Sequence, residues 1–310
     1  MKIIYRYSDN FSSKDQIFLS SKGISVEKGF DVFEIENTSA DFQEVKNYFE
    51  DWEKNTSCRA IFSEEERSKA SHLYVFANFY LGYAQPDTQK EVDDFPYPFD
   101  VYPYYKGVFE IVNTDENYGV LKGRQIGNYK LKNEPKWGKN TIGSIHYAED
   151  SLFVPLQIYK DVFAPLGILS KSVLNYTTQK PLSDVVQLLP QGISKSPLQL
   201  SEKYIRLTEH IEKWGITKFV LRDDMTYPVF LENNNTEDFF YTQEYFGGGS
   251  FTKRGMIISQ KLYQVLKKNK IKGLNYIPFN VKEEKEIAKK HQEEKRKNAR
   301  PGTTWSLLDD

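Results

Sequence analysis

The sequence predicts an α+β fold: mixed or antiparallel sheets with packed helices, and a charged C-terminal helix. Three observations carry that prediction. Residues 255–281 (GMIISQKLYQVLKKNKIKGLNYIPFNV) read as strand, helix, strand. Residues 151–177 look like a weaker copy of the same pattern. Elsewhere, short alternating runs sit between apolar stripes at helical spacing.

In the first stretch, Met256, Ile257 and Ile258 form a short buried strand. Ser259 sits at a helix N-cap, where its hydroxyl can accept from a backbone N–H two or three residues on. Leu262, Val265 and Leu266 follow at helical spacing, with Tyr263 beside them. Lys267, Lys268 and Lys270 crowd the helix end, where cations suit its dipole. Gly273 is the expected break. Leu274, Tyr276 and Ile277 alternate into a second strand that Pro278 closes. In the weaker copy, Leu152-Phe-Val154 parallels Met256-Ile-Ile258. Ile158-Tyr159 parallels Leu262-Tyr263, and Val162 parallels Leu266. After a one-residue gap, Ile168 parallels Ile271. A duplicated module, two related halves, and chance likeness between amphipathic helices all fit this pattern.

The other elements follow in order. Residues 2–7 and 31–36 alternate as strands do. Thr38-Ser-Ala-Asp41 resembles a helix cap. Phe42, Val45, Phe49 and Trp52 then share one helical stripe, with Glu44, Glu50 and Lys54 outside it. Cys58–Phe62 is a strand, and Cys58 a core residue, since no neighbour in sequence would activate it. Residues 72–83 (HLYVFANFYLGY) read as one strand buried on both faces. Pro86, Pro96, Pro98 and Pro103 make 86–103 a loop or extended linker. Residues 107–113 and 118–122 form a hairpin around Asn113–Asn117. Gly119, Gly123 and Gly127 are turn positions, and 133–144 is loop. Residues 201–222 fit either a helix (Tyr204, Leu207, Ile211, Trp214) or a hairpin about Trp214-Gly215. The helix up to Trp214 is preferred. Thr226–Leu231 is a strand, and 232–254 is loop, with Asn233–Asn235 and Gly247–Gly249 inside it. After 281, KEEKEIAKKHQEEKRKNAR predicts a solvated helix with little contact to the body. Glu286/Lys290 and Glu293/Lys297 pair along it. Pro301-Gly302 ends it, and Trp305, Leu307 and Leu308 lie in a tail. The expected division is 1–145, an N-terminal α+β region, 146–281, a second domain, and 282–310, the charged helix and tail.

Composition bounds the function. The chain has 310 residues, 39% of them hydrophobic, with 21 Tyr and 21 Phe. That suffices for a core, although the mean hydropathy is −0.62. Lys and Arg number 42 against 43 Asp and Glu, a formal net charge of −1. A dedicated nucleic-acid binder would show a basic excess. The single cysteine rules out a disulfide within the chain and a cysteine-based zinc cluster. No signal-peptide core follows MKIIYRYSDN, and no stretch approaches the roughly 20 apolar residues that span a bilayer. The expectation is a soluble cytoplasmic protein without a membrane partner.

No catalytic motif stands out. His72, His146, His210 and His291 show no metal-ligand spacing, and neither an HExxH nor a GxSxG pattern occurs. Gly247-Gly-Gly249-Ser250 is followed by Phe251-Thr252-Lys253, whereas a phosphate loop needs Gly-Lys-Ser/Thr. Neither metal nor cofactor is expected.

Charge is more informative. Asp223, Asp224, Glu232, Glu237, Asp238 and Glu244 occur without an intervening base. Lys253, Arg254, Lys261, Lys267, Lys268, Lys270 and Lys272 occur without an acid. In one reading the acidic loop folds over the basic helix of its own domain. In the other, Glu232, Glu237, Asp238, Phe239, Phe240, Tyr241, Glu244 and Tyr245 form a docking surface for a basic protein. A basic patch around Lys122, Arg124, Tyr129, Lys130, Lys132, Lys136 and Trp137 has acids nearby at 87–100, which repel phosphates.

The run Met256-Ile-Ile-Ser259, Leu262 through Leu266, Ile271-Lys-Gly273-Leu and Pro278 resembles the C-terminal signature of bacterial immunity proteins. These belong to polymorphic-toxin and contact-dependent killing systems. The signature is roughly an apolar pair, V-S-x-x, an amphipathic helix, then L-x-G-x-x-F-x-P-V. Tyr276 takes the aromatic position, and 152–174 looks like an earlier element of the same proteins. One branch of the group carries paired CxxCG motifs; with only Cys58, this chain lacks them, and no zinc ribbon carries over. The resemblance covers 150–281. It implies a protein that binds and neutralises a cognate toxin by stoichiometric occlusion, without catalytic residues. The alternatives are an enzyme with a Tyr-lined cleft and an adaptor using the charged helix.

Overall fold

A computed structural model describes residues 1–86, 102–115 and 117–298. At the N-terminus, β1 (Lys2–Phe11) is followed by α1 (Ser13–Ser21), which Ser12 and Asp15 close with a reciprocal capping box. Next come β2 (Gly29–Glu36), α2 (Phe42–Tyr48), α3 (Trp52–Asn55) and β3 (Thr56–Ile61). β1 lies between β2 and β3, antiparallel to both. The stripe Phe42, Val45, Phe49, Trp52 does face one core, beside Tyr7, Phe11 and Phe33. It is two helices, because Phe49 is extended (ψ 111), and Asp41 makes no cap hydrogen bond. Tyr7 and Trp52 stack at 5.2 Å. Cys58 is half-buried, and burial, then Asp224 and Asp223, push its thiol pKa up.

A short helix, α4 (Glu64–Lys69), leads into β4 (His72–Ala77). β4 is buried on both faces, as expected, but it stops at Ala77. β5 (Tyr80–Tyr83) leaves for a different sheet and runs parallel to β9 (Ser144–His146). The proline-rich stretch lies largely outside the described residues; of it, Tyr102–Tyr105 (α5) is a helical turn. β6 (Phe109–Asp115) and β7 (Gly119–Gln125) form the expected hairpin. β8 (Lys130–Leu131), β10 (Leu152–Val154), β11 (Leu169–Asn175) and β12 (Pro181–Leu189) make a second sheet, in the order β10-β12-β11-β8.

Residues 201–214 are not a helix. β13 (Ile205–Ile211) and β14 (Ile216–Leu221) form an antiparallel hairpin, turned by a 3-10 segment, Glu212–Trp214, and by Gly215 at φ 62. Ile205, Thr208, Ile211, Ile216, Thr217 and Val220 are β-branched, which favours strand over helix. Thr226–Leu231 is not a strand of either sheet. It makes only isolated bridges, Tyr227 to Phe279 and Leu198 to Phe230, and Pro228 has no N–H for a ladder. The stretch read as loop holds a central strand, β15 (Phe239–Phe246).

The six-stranded sheet has the order β13-β14-β15-β16-β4-β17, with β16 (Lys253–Ser259) and β17 (Leu274–Pro278). A division at 145/146 therefore does not follow the sheets, since β4 is hydrogen-bonded between β16 and β17. α7 (Gln260–Lys268) joins β16 to β17. On β16, Met256 and Ile258 enter one core, and Ile257 enters the core on the other face. That is the period-2 alternation of a strand covered on both sides.

Both strand–helix–strand units are observed, and they share a topology. β4 separates β16 from β17 and is antiparallel to both. β12 separates β10 from β11 in the same way. In the earlier unit the connection is α6 (Leu156–Ile158), continued by a π turn, Tyr159–Phe163, and a 3-10 turn, Ala164–Leu166. Leu152 to Ile168 is one residue longer than Met256 to Ile271. A π turn takes one more residue per turn and absorbs that difference. The two helices end alike. Gly167 (φ 71) and Lys270 (φ 53) are both left-handed. Ile168 N–H donates to Phe163 O (3.3 Å), and Ile271 N–H to Leu266 O (2.9 Å). These are Schellman caps. Gly273 does not end the helix. It lies where a Cβ would come within 1.9 Å of Ile142 O. Ile142, Leu152, Val162, Ile168, Leu262 and Leu266 all enter one core, so the two units pack together.

Candidate functional site

A cleft of about 400 Å³ lies where α8 (Val281–Asn298) starts. Its walls come from three distant parts of the chain: Ser71 and His72 before and in β4, Val229–Asn233, and Phe279 with the first turns of α8. Asn280 starts that helix. Its side chain accepts from Lys282 N–H (3.2 Å), and its carbonyl accepts from Glu284 N–H (3.0 Å). Glu283 and Glu284 follow in the first turn, where the dipole favours acids. Glu283 accepts the hydroxyl of Tyr204 and pairs with Lys203. Glu284 accepts the hydroxyl of Ser71. Val281 and Ile287 pack against the core formed by Phe230, Phe240 and Phe279. The charged helix is thus tied to the body at its N-terminal end, contrary to the sequence expectation. Sequence periodicity showed its polar face and not the few residues that dock.

The floor of the cleft is apolar. The His72 ring is surrounded edge-on by Phe230 (5.6 Å) and Phe240 (5.7 Å), with Phe279 tilted at 5.6 Å. Burial lowers the His72 pKa from 6.5 to about 4, so the ring is neutral near pH 7. Its Nδ1 lies 2.9 Å from Ser71 Oγ. A hydroxyl has one proton. With that proton in the hydrogen bond to Glu284 Oε1, Ser71 Oγ can only accept from His72, which requires the Nδ1–H tautomer. A serine nucleophile needs the reverse, a histidine that accepts the hydroxyl proton. This chain of bonds holds α8 to β4 and does not activate Ser71. Burial raises the Glu284 pKa. The rim adds Glu232, exposed and in no ion pair among the described residues, and one base, Lys285.

Of the residues read as a docking surface, Glu232 alone has that position. Glu237 is half-buried and pairs with Lys195 at 2.9 Å. Asp238 is buried, accepting from Ser259 Oγ (2.6 Å) and pairing with Lys261 (2.8 Å). Phe239 and Phe240 are 2% and 1% exposed, and they point into opposite cores. Tyr241 donates to Asp150 O (2.8 Å). Glu244 accepts from Leu198 N–H (2.7 Å), and burial raises its pKa. The Tyr245 ring stacks under Arg254 at 4.2 Å. A strand sends alternate residues to opposite faces, so these eight cannot form one surface. Asp238 with Lys261 is the acid-over-basic-helix reading in one pair. Of the basic patch, Lys122 is buried against Asp150 and Arg124 pairs with Glu110 at 3.1 Å, whereas Lys132 and Lys136 are exposed.

A second cleft, about 190 Å³, is lined by Tyr74, Tyr204 and Tyr227 with Arg222 and Asp223. Tyr74 and Tyr227 stack at 4.6 Å. Burial raises the Asp223 pKa. The Tyr227 hydroxyl is buried without a hydrogen-bond partner among the described residues.

Among the described residues, no three of His, Cys, Asp and Glu come together to hold a metal ion, and no helix is long and apolar enough to cross a membrane. Sequence reasoning offered a Tyr-lined cleft without naming its residues and placed neither cleft, because their walls are far apart in the chain and share no motif spacing. The one usable signal was Pro228, which argued against a strand at 226–231. No protein-family model, curated protein or solved structure matches the chain.

Proposed function

We propose that this protein acts by stoichiometric binding, as an immunity protein that occludes a cognate bacterial toxin. The observation that carries the reading is the cleft at α8. An apolar, aromatic floor with Glu232 and Glu284 at its edge suits a long basic side chain with an apolar stem. Arginine fits best, because its guanidinium can lie on Phe230 or Phe279 while pairing with a carboxylate. A basic toxin that attacks nucleic acid would present such side chains. The resemblance supports the same reading: Ser259 caps α7 by accepting from Leu262 N–H (3.0 Å), and Gly273 and Pro278 shape β17.

The test is direct. The purified protein is mixed with the toxin encoded beside its gene, and the complex is sized and titrated. A one-to-one complex, weakened by Glu232→Lys, is expected. Absence of a complex with that neighbour removes the reading.

A second reading, an enzyme, rests on the tyrosine-lined cleft. A carboxyl with a raised pKa beside phenol groups is what a general base needs. Asp223→Asn would abolish turnover of any substrate found for the protein, and unchanged turnover would exclude this cleft as its site.

A further inference from the structure

We propose that Lys122 and Asp150 join covalently, as an isopeptide bond between the β6–β7 hairpin and the turn that leads from β9 to β10. The proposal is independent of toxin binding.

The two side chains form an ion pair and are 9% and 10% exposed. Lys122 Nζ donates to Asp150 Oδ2, its one hydrogen-bond acceptor among the described residues. Its other neighbours include two rings, Tyr105 at 4.3 Å and Phe109 at 4.9 Å to the centroids. Asp150 Oδ1 is buried and accepts no hydrogen bond among the described residues. A buried ion pair offsets the loss of water only when further hydrogen bonds satisfy both ions. A buried carboxylate oxygen is almost always satisfied, and this one is not.

The same burial suits a condensation. The ammonium can pass one proton to the carboxylate it touches, which leaves an amine and a carboxylic acid. An apolar surround favours that exchange, because it penalises both ions. A desolvated, neutral lysine is a nucleophile. Asp150 Cγ is one bond from the oxygen that Nζ touches. Nζ attacks Cγ and the C–N bond forms, while the C=O electron pair moves onto oxygen. The pair then returns, the other C–O bond breaks, and the hydroxyl leaves as water with one proton from the nitrogen. Ammonium and carboxylate have become an amide and water, with no oxidant or cofactor. Between free molecules in water this reaction is unfavourable. A fixed pair meets at an effective concentration of about 10⁵–10⁸ M, which offsets that. A cavity of about 10 Å³ beside the pair, with Tyr105, Glu149 and Asp150 in its lining, has about the room of one water. The product carries no charge and has one buried oxygen fewer to satisfy.

Intact mass spectrometry of the denatured full chain tests this. The wild-type mass should fall short of the sequence mass by one water. Lys122→Arg and Asp150→Ala should each show no shortfall. Tryptic digestion of the wild type should release a branched peptide that joins the segments holding Lys122 and Asp150. The wild-type measurement stands even where a variant fails to fold. A folded wild-type protein of full sequence mass, a shortfall that persists in Lys122→Arg, or a branched peptide that links other residues would each overturn the proposal.

Discussion

Ser71 Oγ donates its proton to Glu284 Oε1, a contact that joins residues 213 apart in the chain. It fastens the start of α8 to the start of β4, beside Tyr204 with Glu283 and Ile287 on the aromatic core. Truncation after Val281 should therefore lower the melting temperature by several degrees, because it removes a buried contact and two hydrogen-bonded carboxylates. Ser71→Ala should reproduce part of that loss. Calorimetry on the truncated chain decides it: an unchanged transition would mean that α8 contributes nothing to the fold.

The two Schellman caps make opposite predictions. Lys270 is left-handed, a conformation that strains a side chain, whereas Gly167 meets the same need without strain. Lys270→Gly should raise stability by about 1 kcal/mol, and Gly167→Ala should lower it by about the same amount. Urea denaturation of both variants is the check. Equal signs would remove the equivalence of the two helix ends.

How much of this was legible in sequence depended on the kind of signal. The strand–helix–strand at 255–281 was clear because alternation and helical spacing follow each other with a cap between them. Its Gly273 was legible as special, but its reason, the carbonyl of Ile142, is a tertiary contact. Even the one-residue gap before Ile168 has a physical counterpart in the π turn. The docking surface was misread because Asn233–Asn235 and Gly247–Gly249 bracket β15 and suggested loop throughout. The run Phe239–Phe246 is rich in strand-forming residues, and acids at 238 and 244 hid its apolar alternation. Neither cleft could be found from sequence, since Ser71, Phe230 and Glu284 meet only through the sheet order.

Leu266 is 1% exposed in the core shared by the two units. Leu266→Ala should cost about 2–5 kcal/mol, from lost burial and the remaining cavity. Phe240→Ala should cost about 3–5 kcal/mol for the same reason. A Phe240 variant that stays fully stable would contradict its place between His72 and Phe230.

His72 sets a pH dependence. Its folded pKa is about 4, below its ordinary 6.5. Between those values the unfolded chain binds a proton that the folded chain does not. Stability contributed by the neutral ring is therefore present above pH 6.5 and is lost as pH falls toward 4, by up to about 3 kcal/mol. Glu284 acts in the other direction: its raised pKa lets the folded state keep a proton longer, so its contribution falls as pH rises above the ordinary carboxylate range. His72→Gln should flatten the loss of stability on acidification. Denaturant midpoints measured from pH 4.5 to 7 for both proteins test this, and parallel curves would show that His72 is not the titrating group.

The binding prediction now rests on Glu232, because Asp238 and Phe240 are committed to the fold. Glu232 is exposed, carries no ion pair among the described residues and stands beside the aromatic floor of the cleft. A charge in that position speeds encounter with a basic partner, and salt screens it. Glu232→Lys should slow association with the proposed toxin partner and weaken its salt dependence, while leaving the melting temperature nearly unchanged. Asp238→Lys should behave differently. It places a cation against Lys261 in a buried site, so it should destabilise the protein before any effect on binding can be read. Stopped-flow association at low and high salt, with thermal melts of both variants, separates the two roles. An association rate for Glu232→Lys equal to that of the unmodified protein, in a variant that remains folded, would take the α8 cleft out of the interface.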